Sequence, residues 1–177
     1  MILEKYLPGI RDTWTWRLAQ LTDIDELQQL VATQSRVEVS DIFTMDEDLM
    51  VKKVCIAIVE QKYNQLGEQL IVAIHNTSNK IIAFSWLTRK QWTVYSSDEC
   101  AHNVIIELEQ TQSTRNKITL LAQIIQLHVL WCIICGIPIL TTNTVRHTQK
   151  AFLKLYEQAG FAMRGSMGYK RINRETI

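Results

Sequence analysis

Thr148-Gln-Lys-Ala151-Phe-Leu-Lys-Leu-Tyr156-Glu-Gln-Ala-Gly160-Phe161 decides the reading of the fold. Ala151, Phe152, Leu155 and Ala159 recur at helical spacing, Thr148 is placed to cap the first turn, and Gly160 can take the left-handed conformation that closes a helix. From Phe161 the pattern turns to a strand running to Arg171. Tyr156 is the one aromatic of the helix with a polar tip.

Working outward, Ile137-Pro-Ile-Leu-Thr-Thr142 reads as a strand, and Ile118 to Cys135 as a long, mostly buried helix stopped by Gly136. Before it, His102 to Gln110 gives a strand containing Asn103-Val-Ile-Ile-Glu-Leu-Glu109. Gln69–His75 and Lys80–Thr93 flank the turn Asn76-Thr-Ser-Asn79 as a hairpin. Nearer the N-terminus, Trp14 to Gln20 alternates as a strand. Thr22-Asp23 then caps a helix whose inner face is Ile24, Leu27, Leu30 and Val31. Asp46, Glu47 and Asp48 place negative charge at the start of a second helix, with Leu49, Met50, Val54, Ile58 and Val59 inward and Asn64 to Gly67 ending it. The order β-α-α-β-β-β-α-β-α-β predicts an α/β fold, a mixed central sheet with helices on both faces. The strand-helix-strand unit from Asn103 to Thr142 predicts parallel pairing of its two strands.

A chain of 177 residues, 47% apolar, can bury one full core. We expect a single domain over residues 14–177, preceded by an arm at 1–13. With 19 basic against 18 acidic side chains, charge makes no case for nucleic acid or an anionic membrane as partner. The longest apolar run, Ile118 to Ile134, is interrupted by Gln123, Gln126 and His128, and is not read as crossing a membrane. Met1 to Pro8 lacks the layout of a signal peptide, so the expected location is intracellular. Cys132 and Cys135 form a C-x-x-C pair inside an apolar helical run with no second ligand pair, which reads as two small buried thiols; Cys55 and Cys100 stand alone. His75, His102, His128 and His147 have no metal-ligand spacing, and no metal is expected.

From Trp14 to Arg171, and most strongly from Asn103 onward, the chain resembles the GCN5-related N-acetyltransferase (GNAT) family, whose last helix follows A-x-x-x-x-Y-x-x-x-G-F. The resemblance implies that the strand of Asn103 to Glu109 splays from its neighbour to admit acetyl-CoA. It also implies that a loop of the form R-x-x-G-x-G/A wraps the cofactor's pyrophosphate, with bare glycine backbone letting amides approach the phosphates. Here that segment is Ser113-Thr-Arg115-Asn-Lys117-Ile118-Thr119-Leu120. Arg115, Asn116, Lys117 and Thr119 are the candidate cofactor-binding residues, and Ile118 and Leu120 occupy the two glycine positions. No glycine lies between Gly67 and Gly136. Gln149 stands where the family often has an asparagine. Tyr156 matches the residue that protonates the departing thiolate, a role suited to a phenol of pKa about 10; the alternative is a tyrosine packed at a helix–sheet seam. Glu107 and Glu109, which strand alternation sends to one face, are the candidate general bases or else solvent-facing carboxylates. Trp86, Trp92 and Tyr95, placed on the third strand, suit either a core or a substrate or partner surface; Trp86 reads as core and Trp92 stays open.

Two functions follow. The damaged loop favours a non-catalytic GNAT-like protein with no cofactor, a binding or structural component of a larger assembly such as a phage particle. Its contact with other protein chains would run through the arm, where Ile2, Leu3, Tyr6, Leu7 and Ile10 are too apolar for a free tail. The alternative is an active N-acetyltransferase moving an acetyl group from acetyl-CoA to an amine. A coenzyme A-sensing module needs the same pocket as the enzyme.

Overall fold

The computed structural model describes residues 13–38, 43–91, 94–144 and 149–163. Over these the chain forms β1 (Trp14–Leu18), α1 (Ile24–Glu38), α2 (Glu47–Tyr63), β2 (Glu68–His75), β3 (Ile81–Gln91), β4 (Glu99–Leu108), α3 (Thr114–Cys135), β5 (Ile139–Thr141) and α4 (Gln149–Gln158). This is the predicted order through the last helix. The arm up to residue 12, Trp92, His147, Thr148 and residues 164–177, which include most of the expected last strand, lie outside the described residues.

The strands form one sheet in the order β1-β2-β3-β4-β5. The first three pairings are antiparallel and β4–β5 is parallel, so the sheet is mixed. Alternation along β1 buries Trp14, Trp16 and Leu18 in a core shared with Leu120, Ile124 and Trp131 of α3 and Tyr156 of α4. On the opposite face, Leu27 and Val31 of α1 and Val54, Ala57 and Ile58 of α2 cover Leu70, Val72 and Phe84. The helices thus lie on both faces of the sheet.

Polar side chains fix how these layers join. Gln123 on α3 accepts hydrogen bonds from the indoles of Trp14 (2.9 Å) and Trp16 (2.8 Å) through one oxygen, tying the helix to the edge strand. Asp23 accepts a fork from Arg17 (2.6 and 2.7 Å) and the Gln20 amide (2.8 Å), so α1 starts through a short 3-10 turn directly off β1. Asp46 caps α2 by accepting from the Leu49 amide (2.9 Å). Gly136, at φ 66°, closes α3 as predicted.

Several boundaries and faces differ from expectation. α3 begins at Thr114 rather than Ile118, because Ser113 caps it, and β4 begins at Glu99 rather than His102. Leu49 (46% exposed) and Val59 (41%) face outward; Ala57 and Gln61 are buried instead, the Gln61 side chain accepting from the Leu70 amide. Tyr95 lies beyond β3 and is exposed. With its extra first turn, α3 is long and apolar enough to cross a membrane by length and composition alone; half of its apolar window is buried, and it packs on the sheet as a core helix, as the interrupted run was read. Cys132 is buried there, and desolvation pushes its thiol up to about 12, which keeps it protonated and unreactive.

Candidate functional site

β4 and β5 pair over three positions only, Cys100 with Ile139, Ala101 with Leu140 and His102 with Thr141. Where the pairing stops, the Asn103 amide reaches across to the Thr142 hydroxyl (3.4 Å). The next residue is a bulge: on β3, Leu87 faces Asn103 and the adjacent Trp86 faces Ile105, which leaves Val104 as the extra residue. The bulge re-aims the strand, so that Ile106 points into the α3 side and Ile105 and Glu107 into the α1–α2 side.

Tyr156 is brought to this point by α4. Its ring is 1% exposed, between Phe152 (centroids 4.7 Å apart) and Phe161 (4.8 Å, edge-on at 84°), and the Phe161 amide donates to the Tyr156 carbonyl (3.0 Å) as Gly160 turns the chain. The inward face of α4 is therefore Phe152, Leu155 and Tyr156, while Ala151 and Ala159 are exposed. Burial pushes the phenol up to about 12, and the neighbouring Thr142 side chain offsets part of that rise without reaching hydrogen-bond geometry. Both the Tyr156 hydroxyl and Asn103 Oδ1 are buried oxygens with no hydrogen-bond partner among the described residues. Such groups are rare in native cores. Asn103, Thr142 and Tyr156 thus gather polar groups at the splay, and a phenol that stays protonated at neutral pH can donate a hydrogen bond or a proton there. Asn103 and Thr142 appeared in the sequence only as strand boundaries; two short polar side chains in apolar runs were the signal.

The two candidate bases do not act as a pair. Glu107 is 5% exposed, opposite Phe84 on the α1–α2 side, and so is not the solvent-facing carboxylate considered above. Glu109 lies past the end of β4; its amide donates to the Ile82 carbonyl (2.9 Å) and its carboxylate accepts from Gln112 (2.7 Å).

The four candidate cofactor residues lie in the first turns of α3, not in a loop. Ser113 Oγ accepts from the Asn116 amide (3.2 Å), and the Asn116 side chain donates to Gln112 (3.1 Å). Lys117 Nζ donates to the Gln110 carbonyl (2.8 Å), and the Thr119 hydroxyl turns back to the Arg115 carbonyl (3.0 Å). Of the four, Arg115 alone is exposed. The two glycine positions separate: Ile118 is 46% exposed, whereas Leu120 points fully into the core and does not face the helix start.

The remaining described histidines serve the structure. His128 is buried on α3, bonded to Ser85 Oγ (2.8 Å), and desolvation pushes its pKa down to about 3. His102 shares a hydrogen bond with Thr141 (3.0 Å) and is pushed down to about 4 by burial, with the Lys90 charge adding.

No protein-family model matches the chain, and no curated protein matches it in sequence. Solved structures match it over nearly its whole length. Glucosamine-6-phosphate N-acetyltransferase from Arabidopsis thaliana is similar at a TM-score of 0.67 and 14% identity, covering 91% of this chain and 99% of that one. A ribosomal-protein-alanine N-acetyltransferase from Brucella melitensis matches at 0.60 and 14%, covering 90% and 99%. A transcriptional regulator from Bacillus halodurans matches at 0.63 and 16%, again covering 90% and 99%. Identity this low carries the fold and not the activity. With its mixed five-stranded sheet, its parallel β4–β5 pair ending at His102 and Thr141 and the covering helices, the chain has the GNAT acetyltransferase fold.

Proposed function

We propose that this acetyltransferase-like protein keeps the GNAT scaffold as a binding or structural component of a larger assembly, such as a phage particle, and does not turn over acetyl-CoA. The observation that carries this reading is the start of α3. The backbone that would wrap a pyrophosphate is wound into helix from Thr114, Ser113 already satisfies the Asn116 amide, and Ile118, at a glycine position, carries an exposed branched side chain. The helix start then leaves three amides without a partner among the described residues, those of Ser113, Thr114 and Arg115, beside one exposed cation. Partner contact is assigned to the arm of residues 1–13.

Thermal unfolding with added acetyl-CoA tests the first half. A ligand at about 100 times its Kd stabilises by about 2.7 kcal/mol, a rise of roughly 5–10 °C in a chain of this size. No rise is expected at millimolar acetyl-CoA; a rise of that size would sink the reading. Deleting residues 1–12 tests the second half: co-purification with the partner should be lost at an unchanged melting temperature.

A second reading, an active N-acetyltransferase, is favoured by one specific observation, the unpartnered oxygens of Asn103 and Tyr156 at the splay. In that case Tyr156 is the acid and Glu107 or Glu109 the base, directly or through water, and Tyr156→Phe should lower kcat more than it changes KM.

A further inference from the structure

The face of α3 that turns away from the sheet carries Arg115, Ile118, Ala122, Gln126, Val129 and Ile133, all exposed, at the three- and four-residue steps that keep side chains on one side of a helix. Ile133 is 71% exposed, Ile118 46% and Val129 40%. From Ile118 to Cys135 the chain holds no charged residue, whereas the outer face of a surface helix is ordinarily charged and polar. A contiguous apolar stripe of this kind marks a surface that another body covers.

The stripe reads the same in both directions, which selects a second copy of itself. Ile118 and Ile133 lie equally far from its midpoint, as do Ala122 and Val129, and Gln126 stands beside that midpoint. Antiparallel pairing about a two-fold axis there sets Ile118 against the partner's Ile133 and Ala122 against the partner's Val129. Small facing large lets the helices close to about 8–10 Å. The two Gln126 amides meet across the axis, where each can donate to the other's carbonyl, so the one uncharged polar side chain of the stripe is satisfied and sets the register. Charge agrees: Arg115 falls opposite the end of the partner's α3, which closes at Gly136 with the negative pole of its dipole. A parallel pair would instead bring the two Arg115 side chains together. A helix of this length spans about 33 Å and is about 10–12 Å wide, so pairing covers about 700 Å² in total, below the roughly 1,200 Å² of a standard stable interface and suited to a reversible one. We propose that this face joins two copies of the chain, α3 antiparallel to α3, in a reversible dimer. The pairing uses neither the arm nor Tyr156 and goes beyond the function proposed above.

Sedimentation equilibrium of the full chain, with no ligand added, should show a mass that rises with concentration from 20.5 kDa to twice that value, half the chain being paired at tens of micromolar. Ile133→Lys and Ile118→Glu, both at exposed positions, should each weaken pairing at least about tenfold by burying a lone charge. Combined in one chain they should restore it, because antiparallel pairing sets the new carboxylate and ammonium face to face twice. Deleting residues 1–12 should leave the dimer unchanged. A mass fixed at 20.5 kDa up to millimolar chain, indifference to Ile133→Lys, a double variant no stronger than the single ones, or loss of pairing with the arm would each overturn the proposal. So would co-sedimentation with phosphatidylcholine vesicles that Ile133→Lys abolishes, which would give the face to lipid. None of these outcomes depends on acetyl-CoA, so the non-catalytic reading keeps its own test.

Discussion

Replacing Tyr156 by phenylalanine should make the protein more stable. The ring keeps its packing against Phe152 and Phe161, and one buried oxygen without a hydrogen-bond partner is removed. Leaving a buried polar group unsatisfied costs about 1–3 kcal/mol. Thr142 lies near enough to offset part of that, so the expected gain is about 1 kcal/mol, or roughly 2–4 °C in melting temperature for a chain of this length. Urea unfolding at pH 7 measures it, and the slope with denaturant should not change, since the surface exposed on unfolding is the same. A loss of more than about 0.5 kcal/mol, outside the scatter of neutral substitutions, would refute the reasoning. It would mean that the hydroxyl is bonded within the fold and is not available to a ligand.

Acid should destabilise the fold through His128. Its pKa is pushed down to about 3 by burial, below the unfolded value near 6.5, so its contribution is intact above pH 6.5 and is lost as pH falls toward 3. At up to about 1.4 kcal/mol per pH unit, roughly 2 kcal/mol should go by pH 5. Urea midpoints for His128→Gln should show a shallower pH dependence, the remainder coming from His102, which titrates in the same window. Gln123→Leu strips the acceptor from two buried indoles and should cost about 2–4 kcal/mol by chemical denaturation. Gly136→Ala meets no atom within 4 Å but keeps a φ of +66°, so only backbone strain, about 1–2 kcal/mol, should appear in the melting temperature.

The fold was legible because its signals are local and periodic. Gly136 and Gly160 mark helix ends, the hairpin turn separates two β-rich runs, and a strand-helix-strand unit admits one handedness. Boundaries failed where the first turn is polar: Thr114 to Lys117 shows no apolar period, although Ser113 was a readable cap. Leu49 was misplaced because a residue at a cavity mouth shares the helical spacing of the core positions beside it. The candidate site was half legible. Tyr156 is named by its segment, but its proximity to Thr142, and the reach of Asn103 across to that same residue, depend on where α4, β4 and β5 meet.

Calorimetric titration of acetyl-CoA into the full chain, beside an Ile118→Gly variant, tests the central claim most directly. Ile118 is the one glycine-position side chain that stands at the surface, and glycine there costs only about 1 kcal/mol in an exposed helix. The expected result is no saturable heat with the natural chain up to millimolar acetyl-CoA, and weak binding gained by the variant. One-to-one micromolar binding by the natural chain would contradict the account and return the protein to the enzymes whose fold it shares.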